Sequence, residues 1–463
     1  MPRGPLQRIQ DAVHGLMEFE GMETVVIDIL RTPELQRLRR IRQLGLTHLV
    51  FPGAEHSRLV HSLGAAYLAI RFGRRLVGAC RDFLIDKLSP GPASIRDLAV
   101  AALCHDLGHG PLSHAWEREI VSDGYNVKVW ADKLGLASEV DSFRGSRWHE
   151  IVGHGFLAWP EGQLHQLLES HDSGFSERVR SMLRGEYYIP YLPRLLASDL
   201  DVDRADFLRR DTHQTGVAYG RYDLNWLVSA CTVGRTPEGE LVVGFDKRKA
   251  IRVVEQFLIA RRALYETVYF HKTVRSAEGM VALFLRRLKE VVQSSGPIPV
   301  AEFLRPYFRM ISGEAIDQRD LLALDDFSLW VLIDAVVNTP GVDDTLRDLG
   351  QRILARDLFK LVPCPSENVR DFLQKQEGHE QVYRAIQPFC PGKPAFYLVV
   401  DTGSFSVFAE DKKQMSYFVD DSRRAEPIRD HKALRTYWQQ PDDFVRLFTV
   451  REAVDAVRKT IVP

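Results

Sequence analysis

Asp106 follows His105 directly in the run His105-Asp-Leu-Gly-His109-Gly-Pro-Leu-Ser-His114, and a further histidine stands upstream at His61. Imidazole and carboxylate together suit a borderline-hard divalent ion such as Mn²⁺, Fe²⁺, Co²⁺ or Zn²⁺. Such an ion acidifies a bound water and polarises a phosphoryl oxygen. A lone His-Asp pair is more often a charged helix end. With His61 in Arg58-x-x-His61-Ser-Leu-Gly64, and His109 four residues beyond His105, the metal reading prevails and implies a metal-dependent phosphohydrolase.

Neighbouring residues on a regular helix diverge by about 100°, so His105 and Asp106 can meet one ion only at a helix end. Gly108-His109-Gly110 supplies that end. A fourth ligand has to come from downstream, where Asp199, Asp201, Asp203 and Asp206 compete within one segment. Chemistry alone leaves the choice open. Phosphate hydrolysis also needs charge neutralisation and a proton for the departing oxygen. His109 and His114 follow closely enough to line the same cavity. Glu117, one turn after His114, can hold that imidazole protonated or fix its tautomer, which makes His114 the expected general acid. His149-Glu150 is a second His-acid pair, and by itself a weak one.

Two helical faces carry recurring polar and aromatic residues. Asp203, Phe207 and Asp211 stand four residues apart with Arg204 at the margin, and Arg261, Tyr265, Tyr269 and Lys272 repeat on a second face. Aromatic stripes of this spacing are usually core, but flanking Arg and Lys suit phosphate plus base. The basic run Arg31 to Arg42 has an ordinary explanation as a solvated, ion-paired helix face.

The surrounding elements must bring these residues together. From Thr24 to about Glu290 the pattern is mostly helical, with Val25, Ile29, Leu35, Leu38 and Ile41 at helical spacing and a second amphipathic stretch from Leu63 to Leu88. Leu98 to Cys104 is apolar all round, the mark of a buried helix, and Pro111 is placed to open the next one. Asp123 to Arg147 reads as a polar insertion or mobile excursion. Ser294-Ser-Gly-Pro-Ile-Pro299 divides residues 1–293, a hydrolase domain, from 294–463, a smaller α+β region suited to oligomerisation or regulation. There, helices are expected over Asp326 to Val337 and Val342 to Ala355, and strands at Ala395 to Val400 and Ser404 to Phe408.

Composition sets the outer bounds. Lysine plus arginine (61) and aspartate plus glutamate (62) nearly cancel, so no global field recruits nucleic acid or anionic membrane. A local basic patch is untouched by that balance, which leaves a nucleic-acid partner open. The five cysteines form no CxxC pair, in keeping with a reducing compartment. The first residues lack an apolar leader core, and the longest apolar run is far too short for a bilayer. A cytoplasmic protein without membrane spans is expected.

His61…His105-Asp106…Asp203 resembles the H…HD…D signature of the HD superfamily. The likeness widens through Asp11-Ala-Val-His14-Gly15, Thr32-Pro-Glu-Leu-Gln36-Arg-Leu-Arg39, Gln43-Leu44-Gly45, Val50-Phe-Pro-Gly-Ala54 and His105 to His114. From about residue 8 to about 275 the chain resembles the HD-domain deoxynucleoside triphosphate triphosphohydrolases, bacterial relatives of the vertebrate SAM-and-HD-domain enzyme. The resemblance implies a mainly α, HD-type helical fold and Asp203 as the fourth ligand. It implies one divalent metal per active site (Mn, Fe, Co, Zn or Mg), with additional Mg accompanying the substrate. It places His149 and Glu150 in the catalytic pocket, His149 near His109 and the phosphates and Glu150 as a support. Gln43 and Asp211 are similar to residues that bind the 3′-hydroxyl, and Leu44 with Tyr269 to the wall that excludes a ribose 2′-hydroxyl. Arg58 matches a phosphate clamp, and Lys272 lies in a segment that packs on the sugar and contacts phosphates. Phe207 and Tyr265 stand where the vertebrate enzyme has Tyr and His, so base preference is expected to differ. Gln36 and Arg39 match a regulatory nucleotide site between subunits of a homo-oligomer, dimer or tetramer. Arg31 replaces the Asp that reads guanine there, which argues against GTP as obligatory activator and leaves another nucleotide open.

The expected reaction is water attack at the α-phosphorus of a dNTP, giving deoxynucleoside and inorganic triphosphate. The alternatives are an HD phosphatase or phosphodiesterase acting on other nucleotides or nucleic-acid ends, and a nucleotide-sensing protein without turnover.

Overall fold

Leu59, Leu63, Ala66, Ile70 and Gly73 recur at helical spacing and are all buried along helix α1 (Arg58–Cys80). It packs on α2 (Pro92–Cys104), in which every residue from Ser94 onward is buried. Proline in the first turn of α2 forgoes an amide that no helix bonds anyway. Gly73 permits the close crossing, since a Cβ there would lie 3.0 Å from Ile95. A computed structural model of the chain describes residues 6–80, 88–117, 119, 127–143, 146–314, 316–375, 377–408, 414–435 and 442–462. The side chains of residues 114, 127, 142, 433, 435 and 442 fall outside that description.

Beyond α2 the chain leaves the helix at His105, and further on come α3 (Trp148–Ala158) and α4 (Val202–Thr215). Asp201 caps α4 by accepting from Arg204 N at 2.8 Å, and Gly216 ends it in the left-handed conformation. Helix α5 (Lys247–Leu264) passes through a single π turn at Tyr265–Tyr269 into α6 (Lys272–Ser295). Such turns often mark functional positions. Helices α7 (Asp326–Val337) and α8 (Asp344–Leu354) follow.

Three small sheets complete the fold. Strands β1 (Gln7–Asp11) and β2 (Gly15–Phe19) form a hairpin. Strands β3 (Cys231–Arg235), β4 (Leu241–Asp246), β7 (Tyr417–Val419) and β8 (Ala425–Pro427) form a four-stranded sheet in that order. Strands β5 (Lys360–Leu361), β9 (Asp442–Thr449) and β6 (Leu398–Phe405) form the third. β4 pairs with β7 in parallel, joining residues on either side of position 294. One apolar cluster runs from Met17 to Ile461. The fold is mainly α with a minor sheet component, as the sequence implies.

Four local expectations change. Thr24 to Ile41 forms short helical turns rather than one helix, because Thr32-Pro33 interrupts it. The stretch read as an excursion holds a helix over Val127–Lys133 and buries Trp130, Ala131, Leu134, Leu136 and Phe143. Those apolar residues are sparse enough to be masked by the polar composition around them. Pro111 sits in a turn, and the next helix opens at His114. The two expected C-terminal runs contribute to one strand, β6, extending through Gly403. Part of the stretch from Leu63 to Leu88, residues 81–87, lies outside the described residues.

Candidate metal centre and nucleotide site

His105 caps the C-terminus of α2, and the chain then leaves the helix, so His105 and Asp106 turn toward the same space. Gly108 is needed there, because a Cβ would lie 1.9 Å from the carbonyl of His149 on α3. The turn is held from below by Arg37, almost fully buried, which donates to the carbonyls of Leu107, His109 and Leu324 at 3.3, 2.6 and 3.0 Å.

His61 from α1, His105 and Asp203 from α4 converge. His61 Nε2 lies 3.3 Å from His105 Nε2 and 3.0 Å from Asp203 Oδ1, and His105 Nε2 lies 3.5 Å from that oxygen. Asp106 approaches with both oxygens, Oδ2 at 3.8 Å from His61 and Oδ1 at 3.5 Å from His105. Ligands about 2.1 Å from one ion sit about 3.0–3.4 Å apart at octahedral or tetrahedral angles, so this spacing fits a single divalent cation. The remaining ring nitrogens are tied elsewhere. His105 Nδ1 bonds Ala102 O at 2.7 Å, and His61 Nδ1 bonds Asp206 Oδ2 at 2.8 Å. Each imidazole therefore turns Nε2 toward the centre. Burial disfavours a charged His61, yet Asp203 and Asp206 outweigh it and push its pKa up to about 10. The pocket calls for positive charge.

Only Asp203 of the four competing aspartates faces the two histidines. Asp201 caps α4, Asp199 is bonded to Gln414 and Ser416, and Asp206 lies behind His61. Asp206 also meets His14 Nε2 at 2.6 Å and Arg210 Nε at 2.8 Å, and Arg210 continues to Asp11 at 2.9 Å. Burial opposes ionisation of Asp206, but Arg210, His14 and His61 hold its carboxyl well below the usual range.

A second cluster adjoins the first. Glu117 accepts from Nδ1 of His109 at 3.1 Å and meets Nδ1 of His149 at 2.9 Å, and the two rings stack at 3.9 Å. His109 Nε2 reaches Asp106 Oδ1 at 3.3 Å, linking the clusters. Burial alone would raise the Glu117 pKa, but both imidazoles drive it far down. Burial and then His109 lower the pKa of His149. The side chain of His114, the expected general acid, lies outside the described residues. Glu150 is exposed and caps α3, accepting from Arg147 N at 3.0 Å, so it is placed at the helix end rather than among the stacked histidines.

Arg58 pairs with Asp106 and donates to Ser113 Oγ at 2.8–3.0 Å. Its neighbours Leu112 and Ser113 have φ of 50° and 53°, a left-handed conformation uncommon without glycine. Asp326 of α7 anchors them, accepting from Leu112 N at 2.8 Å and Arg42 N at 2.9 Å.

Phe207 bridges from the metal residues to the expected sugar-reading face, with its ring 6.4 Å from His61 and 6.2 Å from Tyr269. Tyr269 donates to Asp211 Oδ2 at 2.6 Å, and His56 Nε2 meets Asp211 Oδ1 at 2.9 Å. Gln43 N donates to His56 O at 3.0 Å, while Gln43 Oε1 is buried without a hydrogen-bond partner among the described residues. Leu44 beside it is half-buried. Tyr265 stacks on Phe405 at 4.1 Å and edges Tyr269 at 4.9 Å. Arg261 is buried, donating to Val407 O at 2.6 Å, and Arg204 pairs with Asp201. Lys272, exposed, opens α6. Gln36 donates to Leu30 O and accepts from Arg39 Nε at 2.7 Å, remote in chain and contact from the histidine clusters.

Sequence reasoning gave no role to His56, Arg37 or Asp326, and saw Asp206 only as a rival ligand. No residue spacing marks a supporting contact made across more than a hundred positions.

Residues 58–182 match the HD domain model. The chain belongs to the HD-domain phosphohydrolase family. It is 30% identical over 413 residues to the uncharacterized protein YwfO of Bacillus subtilis, covering 87% of this chain and 82% of that one. It is 32% identical over 454 residues to the deoxynucleoside triphosphate triphosphohydrolase SAMHD1 of Mus musculus, covering 91% of this chain and 65% of the relative. A solved phosphohydrolase from Bacteroides thetaiotaomicron has the same fold, with a TM-score of 0.73 and 23% identity over 96% of this chain and all of that one. Among the described residues, no helix is long and apolar enough to cross a membrane.

Proposed function

We propose that the chain is a dNTP triphosphohydrolase that cleaves at the α-phosphate. One observation carries this reading beyond a generic HD hydrolase. Gln43, whose backbone N donates to His56 O, carries a buried Oε1 without a partner among the described residues, and His56 leads through Asp211 to Tyr269 and, by the Phe207 ring, to the metal residues. A buried acceptor without a donor is unfavourable by about 1–3 kcal/mol, and a sugar 3′-hydroxyl would satisfy it. Similarity to the mouse triphosphohydrolase supports the same substrate class.

A divalent ion held by His61, His105, Asp106 and Asp203 would supply Lewis acidity and lower the pKa of a water. Arg58 and Lys272 then neutralise phosphate charge, and Leu44 with Tyr269 crowds a 2′-hydroxyl. His109 and His149 share the single carboxylate of Glu117 through their Nδ1 atoms, which keeps His109 Nε2 beside Asp106 at the metal residues and leaves the Nε2 of His149 available to a phosphate oxygen. His114 is assigned the proton for the departing 5′-oxygen on its place in sequence, close behind the His105-Asp106 pair. Water's oxygen ends on phosphorus, and the 5′-oxygen leaves with the nucleoside.

Incubation of each dNTP, singly and mixed, with the Mn²⁺-loaded protein in ¹⁸O water tests the proposal. Labelled triphosphate and unlabelled deoxynucleoside are the expected products, absent from His105→Ala/Asp106→Ala. Label in the nucleoside refutes α-phosphorus attack, and turnover confined to nucleoside monophosphates or cyclic dinucleotides refutes the substrate class. Nucleotide activation and a homo-oligomer belong to the same reading; acceleration of one dNTP by another and sedimentation velocity test them.

A further inference from the structure

Helix α4 presents Asp203, Phe207 and Asp211 to the metal and sugar residues. Its other side borders a separate, half-open cavity of about 420 Å³, flanked by the Ala12-Val13 turn of the β1–β2 hairpin and by Gly216, Val217, Gly220, Arg221 and Tyr222. Arg209, His213 and Arg221 line it, and no aspartate or glutamate does. None of the three basic side chains has an ion-pair or hydrogen-bond partner among the described residues.

Arg209 is half-buried, whereas His213 and Arg221 are exposed. Arginines elsewhere do find carboxylates, the buried Arg210 with Asp11 and Asp206 and the half-buried Arg178 with Asp97 and Asp172. His213 in the last turn of α4 complements the helix dipole, but that effect does not gather Arg221 from a separate loop. Nor does the cavity arise from loose packing. Thr212 Oγ1 bonds Leu208 O at 2.7 Å, Tyr222 OH bonds Ala205 O at 2.6 Å, and a Cβ on Gly220 would strike Thr212 at 1.7 Å. The floor is therefore fixed and the charges stand on its rim. The volume lies within the range of small-molecule sites, roughly 300–1,000 Å³, and a half-open pocket of this size suits a compact ligand better than a polymer track.

We propose that this cavity is a second anion site, binding a compact phosphate-bearing small molecule with two or more negative charges. Guanidinium groups from two elements offer forked donors to phosphate oxygens. The ligand would rest against Ala12 and Val13, next to Asp11 and His14, which hold Arg210 and Asp206.

Amide hydrogen exchange of the metal-loaded protein, with and without magnesium pyrophosphate, tests the site by location. Protection of peptides containing residues 12–13 and 212–222 is expected, in addition to any at the metal centre. Arg209→Gln/Arg221→Gln should abolish it and weaken pyrophosphate binding there about tenfold or more. Arg221→Gln alone, on an exposed loop, should weaken it as well and guards against misfolding of the double variant. Protection confined to residues 105–109 and 203 overturns the proposal. So does protection by single-stranded RNA but not by pyrophosphate, which would make the face a polymer surface.

Discussion

Asp206 Oδ2 lies 2.8 Å from His61 Nδ1, and this contact decides which nitrogen of His61 faces the centre. In Asp206→Asn the Arg210 guanidinium keeps Asp11 as a partner, so the fold should survive while the imidazole loses its anchor. Metal affinity is expected to fall about 10–100-fold, read by competition with a chelator. Unchanged affinity would remove Asp206 from that role.

Gln43→Ala addresses sugar recognition. The wild-type protein should disfavour a 2′,3′-dideoxynucleoside triphosphate by roughly 10²-fold in kcat/KM, because Gln43 and Asp211 lose their hydroxyl partner. In the variant that ratio should shrink about tenfold, mainly through slower turnover of the normal dNTP. A ratio unaltered by the substitution would place the sugar elsewhere.

Glu117→Gln separates alignment of the histidines from metal binding. The carboxylate is ionised across the working pH range because His109 and His149 offset its burial. A neutral amide satisfies one imidazole at most, so kcat should drop about 10²-fold or more with metal content unchanged. Loss of metal in parallel would mean that Glu117 supports the ion instead.

His154 controls an acid limb of stability far from the site. Burial first, then Arg180 and Arg184, lowers its pKa to about 3, and its Nδ1 is buried without a partner among the described residues. The unfolded chain binds a proton near pH 6.5 that the folded chain refuses, so this contribution is lost as pH falls from 6.5 toward 3. The slope is about 1.4 kcal/mol per pH unit. In His154→Leu, urea unfolding midpoints should fall less steeply between pH 6 and pH 4 than in wild type. Parallel curves would show that another group sets the limb.

The metal residues were legible because their chemistry is dense in one segment. His105-Asp106 at a glycine break forces a helix end, and a helix end forces convergence. Asp203 could not be told from Asp206 by spacing, since the two lie one turn apart and both meet His61, one at Nε2 and the other at Nδ1. Glu150 followed a histidine and invited a catalytic reading, while its place at the third position of α3 made it a helix cap. In the stretch from 123 to 147, read as an insertion or a mobile excursion, the described residues hold a helix and buried side chains, which composition hides by averaging over the few residues that matter. Asp326 was invisible, because its partners are backbone amides more than two hundred residues away.

That last contact has a consequence for how the chain can be divided. A fragment ending before Leu324 would strand the Leu112 and Arg42 amides, each at about 1–3 kcal/mol, and take the Leu324 carbonyl from Arg37. The strained Leu112-Ser113 turn beneath Arg58 would then relax toward ordinary backbone angles. The histidines and their supporting acid thus behave as one heritable unit. Recombination between relatives that separates them should yield folded but catalytically silent hybrids, unless the acid travels with the turn it holds.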